Sequence, residues 1–451
     1  MPPAAVPSAA LSPALPASVP PVSGVDAETL ALPPVAQRFV RYVRIDTTSN
    51  PDSDATPSTA RQLDLCRLLV SELHGIGVAD AEMDAAGVVY ATVPGTVPEA
   101  PVVALCAHVD TSPDAPGGGV RPLVHAAWSG AAFALPGDPS VVFDATADAD
   151  LAACIGHDLI TSDGTTLLGS DDKAGVAVIV QLAADLLASD AAARAAGRAP
   201  AARPTLRLLF TPDEEIGRGA DPVDLARLAA HVGYTLDGSG TDRLNAETFN
   251  AAEAVVTVEG VGVHPGYAKG ILVNALRVAA HVVALLPAGE APETTDGRDG
   301  FCHPHTLTGE AERASLRILL RDFSDDGLAR RRDIVRDAAA RAEAAFPGSR
   351  VSVEIRESYR NMAAHIDAVD PRAVAVALGA AQALGFEMAL EPVRGGTDGA
   401  RLSERGLPTP NVFTGGHAFH SRREWNTVQN LARSLAYTHA LVAAWAREPR
   451  L

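Results

Sequence analysis

Lysine is almost missing from this chain of 451 residues: Lys173 and Lys269 are the only two among 37 basic residues, and the rest are arginine. Basic charge is scarce altogether, because 55 acids against those 37 bases leave a formal net charge of −18. That deficit excludes nucleic acid and anionic membranes as main partners, since both require clustered Lys and Arg. Cysteine is scarce too. Cys66, Cys106, Cys154 and Cys302 lie far apart with no Cys-x-x-Cys pair, which excludes a disulfide framework or a zinc–thiolate site and predicts buried, reduced thiols. No uninterrupted apolar run reaches the roughly 18 residues of a membrane helix. The N-terminus, MPPAAVPSAALSPALPASVPPVSG, has seven prolines in 24 residues, and no Lys or Arg precedes Arg38. It lacks the basic start of a secretory signal, so residues 1–34 read as a disordered Pro/Ala-rich tail and the expected compartment is the cytoplasm.

What is present fits a globular protein: 47% hydrophobic and 20% charged residues. At about 150 residues per domain, the length predicts two or three domains. Past the tail, short apolar runs alternate with helical patterns, the mark of an α/β fold with a mainly parallel sheet. The strands expected are 87–93, 101–109, 205–211, 231–237 and 410–415, and the helices include 174–189, 371–386 and 427–446. Residues 191–204 read as a polar-edged loop or insertion. The stretch from about 250 to 360 breaks the pattern with strands over 253–260, 305–312, 315–322 and 350–357 and helices over 273–286 and 327–346. That β-α-β-β-α-β order is ferredoxin-like. The organisation expected is a catalytic domain in two parts, 35–247 and 362–451, carrying an inserted α+β lid or dimerisation domain over 248–361.

Ligands of open α/β sheets collect beyond the carboxyl ends of the strands. Four polar clusters fall there: His108 and Asp110; Asp213, Glu214 and Glu215; Asp237; His417 and His420. A fifth, Asp171, Asp172 and Lys173, immediately precedes a helix. Each has a plain alternative. His-x-Asp at a strand end reads as a satisfied histidine beside an acid, acids before a helix complement its dipole, and Asp237-Gly is a common turn pair. Five such clusters at one sheet edge exceed what turns require. Together their imidazoles and carboxylates form a donor set suited to Zn²⁺, Mn²⁺ or Co²⁺ in a dinuclear site.

The segments HVDTSPD, TLLGSDDKAG, FTPDEEIGRGA, YTLDGSG, VHPGYAKG, VRGGTDGARLS and FTGG followed by His420 resemble the peptidase T family of M20 metallopeptidases, which are aminotripeptidases. The likeness runs in family order from about 37 to 446. It implies two Zn²⁺ per subunit, with Co²⁺ or Mn²⁺ as substitutes, and a small peptide as substrate. His108 and Asp237 match ligands of one metal, Glu215 and His420 ligands of the other, and Asp171 the carboxylate that bridges them. The family holds the Asp171–Asp172 peptide in a cis form. Asp110 matches the acid that orients His108, and Glu214 the general base acting on water between the metals. His264 matches a histidine that stabilises the oxyanion, in some relatives from the partner subunit. Arg394 matches a guanidinium for the substrate's carboxylate, and Arg321 and Asn274 match lid residues that close on substrate. A homodimer through the lid is the assembly left open.

Departures from the family are the tail, the 191–204 insertion, His417 where an aromatic residue is usual, and Ser421 where glycine is usual. The nearest alternative function is another M20 activity, namely a dipeptidase, carboxypeptidase or amidohydrolase. A two-metal phosphoesterase would want a basic clamp that this acidic chain hardly offers. A non-catalytic metal or peptide binder would have no use for Glu214.

Overall fold

The computed structural model describes residues 24–27 and 30–451. The fold class expected from the sequence is the one observed. The principal sheet has eight strands in the order Ala389–Leu390, Arg243–Asn245, Asn411–Gly416, Val232–Ser239, Val103–His108, Leu206–Thr211, Val89–Val93 and Glu82–Met83. The four central strands, from Asn411–Gly416 to Leu206–Thr211, run parallel; antiparallel pairing brings in the edges at Arg243–Asn245 and Val89–Val93. Every residue of Val103–His108 and of Asn411–Gly416 is buried. Burial on both faces explains why these strands appear in the sequence as continuous apolar runs.

Helix Ser170–Ala195 lies at the centre of the core. Among the described residues it is the one helix long and apolar enough to cross a membrane, but residues 174–183 are buried inside the protein itself. They pack on the central strands and on helices Pro34–Val43 and Val428–Trp445. The helix continues through Ala195, so the first residues of the expected 191–204 loop are helical. The same segment ends in a buried pair: Arg203 Nη1 and Nη2 donate to the two Asp190 oxygens at 2.7 and 2.6 Å. Burial of a guanidinium requires such a bidentate partner.

Among the described residues, two four-stranded sheets and a two-stranded ribbon, Phe133–Ala134 with Val142–Phe143, accompany the principal sheet. One four-stranded sheet is antiparallel, in the order Val25–Asp26, Leu123–His125, Leu159–Thr161 and Trp425–Thr427. Of the tail expected over 1–34, residues 1–23 and 28–29 lie outside the described residues, whereas Val25–Asp26 pairs with Leu123–Val124 and Pro34 opens a helix. The other sheet is also antiparallel, ordered Phe301–Gly309, Arg313–Asp322, Asn250–Glu259 and Arg350–Tyr359. Helices Ala275–Leu285 and Asp325–Ala345 cover one face over a separate core that includes Val256, Val278, Leu316, Ile318 and Val335. The uncovered face carries Phe301, Arg321, Ala251 and Tyr359 in one cross-strand row. The two crossings between this unit and the principal sheet lie side by side, tied by Asn361 N donating to Asn250 Oδ1 at 2.9 Å and Thr248 N to Asn361 Oδ1 at 3.2 Å.

Candidate metal centre

Parallel pairing puts the carboxyl ends of three neighbouring strands at one edge, and each delivers a polar side chain there. Val103–His108 ends on His108, Val232–Ser239 carries Asp237 near its end, and Leu206–Thr211 leads into Asp213, Glu214 and Glu215. Asp213 adopts a left-handed φ of 64°. Its carboxylate accepts from Ser58 N and Gln62 Nε2, each at 2.7 Å, and from the Ser58 hydroxyl, while its own N–H donates to Gln62 Oε1 at 3.0 Å. Held this way, the chain turns sharply and sends Glu214 and Glu215 back towards the sheet edge.

Asp171 comes from the opposite direction, at the start of the core helix. The buried carboxylate of Glu424 accepts three main-chain N–H groups, from Leu168 (2.8 Å), Gly169 (2.7 Å) and Asp171 (2.9 Å), and so fixes the approach. The Asp171–Asp172 peptide bond is cis. Asp172 faces elsewhere: it accepts from His108 N at 3.2 Å and Gly175 N at 3.1 Å.

The result is two donor groups that share one carboxylate. His108 Nε2 lies 2.8 Å from Asp171 Oδ1 and 3.6 Å from Asp237 Oδ1. His420 Nε2 lies 3.2 Å from Asp171 Oδ2 and 2.8 Å from Glu215 Oε2. Within each group the ligand atoms are all within 4.8 Å of one another. Asp171 thus offers a different oxygen to each group. Glu214 stands beside the first group, with Oε2 4.0 Å from His108 Nε2, and lines the same cavity as Glu215 and His420 of the second.

The charges in this cluster do not balance without cations. Burial pushes the Glu214 carboxyl well above its ordinary range; His108 opposes the rise, and Asp237, Asp398 and Glu215 add to it. Burial, then the charge of Asp171, likewise raises Asp237 to about 7 and Glu215 to about 8. Asp171 is also penalised by burial, but hydrogen bonds from His108 and His420 outweigh that and pull it below the usual range. Hydrogen bonds to Asp171 and Glu215 lift His420 to about 11. Glu215 Oε1 is buried with no hydrogen-bond partner. Four crowded carboxylates with two imidazoles and an orphaned buried oxygen fit divalent cations, which supply the missing positive charge. Mixed nitrogen and oxygen donors suit a borderline ion such as zinc, cobalt or manganese.

Asp110 supports the cluster in two ways. Its carboxylate accepts from Glu214 N at 3.0 Å and Glu215 N at 3.2 Å, and its main-chain oxygen lies 3.1 Å from His108 Nδ1. The contact at His108 Nδ1 is therefore mainly with the carbonyl, the carboxylate being 3.4 Å away. The donors open into a cavity of about 300 Å³ lined by Asp171, Glu214, Glu215, Asp237 and His420. An adjoining cavity of about 510 Å³ shares Glu214, Glu215 and His420 and extends to Phe301, Leu319, Arg321 and Tyr359 on the smaller sheet. Arg321 faces that space, with Nη1 on the carbonyls of Ala252 and Leu320.

Three residues expected at the site are engaged elsewhere. His264 is exposed; its Nδ1 accepts from Gly266 N at 3.1 Å, and it lines neither cavity. Asn274, expected to close on substrate, caps helix Ala275–Leu285, accepting from Leu276 N at 3.0 Å. Arg394 borders the larger cavity, but its guanidinium is bonded to the 295–299 loop. His417 stacks on Trp425 at 4.1 Å and lines a separate cavity with Asp150 and Arg243. Residues not singled out from the sequence include Glu424, Tyr359 and Asp398, a buried acid raised to about 6 by burial that accepts from Thr211 Oγ1 at 2.7 Å. Asp398 lies within the segment VRGGTDGARLS, whereas nothing around Glu424 signals that it holds a main-chain turn.

A family model described as peptidase family M20/M25/M40 matches residues 168–444. Peptidase T of Geobacillus thermodenitrificans (strain NG80-2) is 40% identical over 399 residues, 88% of this chain and 95% of that protein. Peptidase T of Bacillus subtilis (strain 168) is 39% identical over 402 residues, 89% of this chain and 96% of the relative. Among solved structures, an aminopeptidase PepT from Bacillus cereus ATCC 10987 superposes with a TM-score of 0.67 at 21% identity, covering 92% of this chain and 98% of the other.

Proposed function

The chain belongs to the peptidase T family of M20 metallopeptidases, and from that premise we propose that it removes the N-terminal residue from tripeptides at a pair of zinc ions, with cobalt or manganese as substitutes. One observation carries the mechanism: two donor groups share Asp171, and Glu214 stands at their edge without belonging to either. His108, Asp171 and Asp237 would hold one cation, and Asp171, Glu215 and His420 the other. Bound divalent cations supply Lewis acidity, which lowers the pKa of water and polarises a peptide carbonyl. Glu214 takes the proton of the attacking water and returns it to the leaving amine, and a buried carboxyl with a raised pKa suits that exchange. Asp110 keeps Glu214 and Glu215 on their turn through the two main-chain N–H groups it accepts.

Arg321 and the row around it form the wall against which the peptide lies. His264 keeps the proposed part of oxyanion stabiliser, brought to the centre by movement of the 248–361 lid or by a partner subunit. Assembly is read as a homodimer through the lid, whose surface bears exposed Tyr267, Ile271 and Leu276. The cytoplasm is the proposed compartment, consistent with four free, buried cysteines.

The test is an assay of metal-reconstituted protein against di-, tri- and tetrapeptides and N-acylated amino acids. Tripeptides with a free amino terminus are expected to dominate. Equal or better cleavage of dipeptides or N-acyl amino acids would move the chain to another M20 activity.

A further inference from the structure

We propose that Arg394 is a positioning residue that pins the 295–299 loop of the lid onto the 393–397 loop of the catalytic sheet, and that it does not grip the substrate's carboxylate. Arg394 Nη1 donates to the carbonyls of Gly297 at 3.0 Å and Asp299 at 2.8 Å. Nη2 donates to Thr295 Oγ1 at 2.9 Å and, more weakly, to the Thr295 carbonyl at 3.4 Å. A guanidinium has five N–H groups, four of them on the two Nη atoms, so this cradle leaves only Nε–H. A carboxylate needs two parallel N–H groups for a bidentate grip. It would also arrive against three carbonyl oxygens that repel it. The cradle is built for a cation.

The surroundings show what the pin holds. The Arg394 guanidinium lies over Phe249 at 5.3 Å and Phe301 at 5.7 Å, and Phe249 packs on Phe301 and Phe323 at 5.6 and 4.3 Å. On the far side of this aromatic group, Arg298 lies over Phe323 at 4.9 Å and donates through Nη2 to Glu247 Oε1 at 2.7 Å. The loop is therefore tied to the catalytic sheet by two arginines that flank one aromatic core. Phe301 begins the strand that pairs with Arg321 in the wall of the cavity beside Glu214. Fixing the loop fixes that wall.

The pin stands on contacts within the chain; only its kinetic consequence rests on the proposed tripeptidase activity. The experiment uses metal-loaded wild type, Arg394→Ala and Arg394→Lys. Hydrogen exchange of amides over 295–301 is expected to quicken by about tenfold or more in Arg394→Ala, the size expected when a charge-assisted hydrogen bond is lost. Lysine carries three donors but no planar fork, so it fits a carbonyl cradle and restores much of the protection. Values of kcat/KM for Leu-Gly-Gly and for its C-terminal amide should fall together in Arg394→Ala, leaving their ratio as in wild type. Unchanged exchange over 295–301, or a ratio that collapses in the variant, overturns the proposal. A wild type inactive on tripeptides would instead overturn the tripeptidase reading and leave the exchange result to judge the pin.

Discussion

The two halves of the metal cluster share Asp171 but are built differently. The deep half rests on a strand end: the His108 side chain is 2% exposed, and its Nδ1 and main-chain N–H are both engaged, the latter by Asp172. Its companion Asp237 is held in register by its N–H on Asn411 Oδ1 at 3.1 Å. The open half rests on turns. His420 is 42% exposed with a left-handed φ of 59°, and the group facing its Nδ1 is Asp114 Oδ2 at 3.4 Å, itself 69% exposed. Buried strands open only with the fold, whereas exposed turns move at low cost. The contrast therefore predicts one cation held as firmly as the core and one that exchanges.

Glu214 tests whether two halves describe the cluster at all. In Glu214→Gln, metal analysis should find both halves still filled while kcat falls by about 10² to 10⁴, the range of a lost general base. A drop in metal content would make Glu214 a fourth ligand of the deep half and break the division.

Removing one histidine from each half comes next in size. His108→Ala leaves the Asp171 and Asp237 carboxylates without their buried partner, which costs on the order of 3–5 kcal/mol. Calorimetry of the metal-free variant should show that loss as a lowered Tm. His420→Ala should release about one metal per chain and lower the Tm of the metal-free protein by less than His108→Ala does, because His420 is 42% exposed where His108 is 2% exposed. Equal effects on Tm would erase the difference between the halves.

Acidification should separate the halves more gently. In the metal-free protein Asp237 sits at about 7, Glu215 at about 8 and His420 at about 11, all above their ordinary 3.8, 4.5 and 6.5. A group whose pKa is higher in the folded state gives stability that is complete below its unfolded pKa and lost as pH rises to the folded one. The metal-free protein thus loses stability from about pH 4 to 8 through the carboxyls, and to about 11 through His420. Cations need these groups deprotonated, so their binding strengthens across the same window. The Tm gap between metal-loaded and chelator-stripped protein should widen from about pH 5 to about pH 8. On acidification the open half, whose His420 is 42% exposed, should empty first, and a constant gap would count against this linkage.

The sequence makes the deep half more legible than the open one, for the same structural reason. Strands buried on both faces leave apolar runs, so the positions of His108 and Asp237 follow from where those runs stop. The Asn250–Tyr359 unit is legible because its strands alternate and its helices are amphipathic. The Val25–Asp26, Leu123–His125 and Leu159–Thr161 strands are too short to leave a period, and the sequence reading passes over their sheet. Distant pairings are equally silent: Glu424 reaches back to Asp171, and Arg394 to 295–299. The family resemblance brings together the donor residues that the structure clusters, but it says nothing of main-chain hydrogen bonds. That is why Arg394 and Asn274 read as substrate contacts, although the Nη groups of Arg394 and Oδ1 of Asn274 are bonded within the chain.

The smallest effect should come from the groups that support each half. Glu424 holds three N–H groups ahead of Asp171, so Glu424→Gln should weaken metal affinity by about 10- to 100-fold, as loss of an orienting partner does. Asp114 approaches His420 from solvent, where an ion pair contributes little, so Asp114→Asn should cost less than about fivefold. Titrating both variants with Zn²⁺ against a competing chelator measures the two costs on one scale. If Asp114→Asn costs as much as Glu424→Gln, then His420 is as tightly oriented in solution as His108. The loop that bears it would then close over the second cation, and the exposed turn would be only one of its positions.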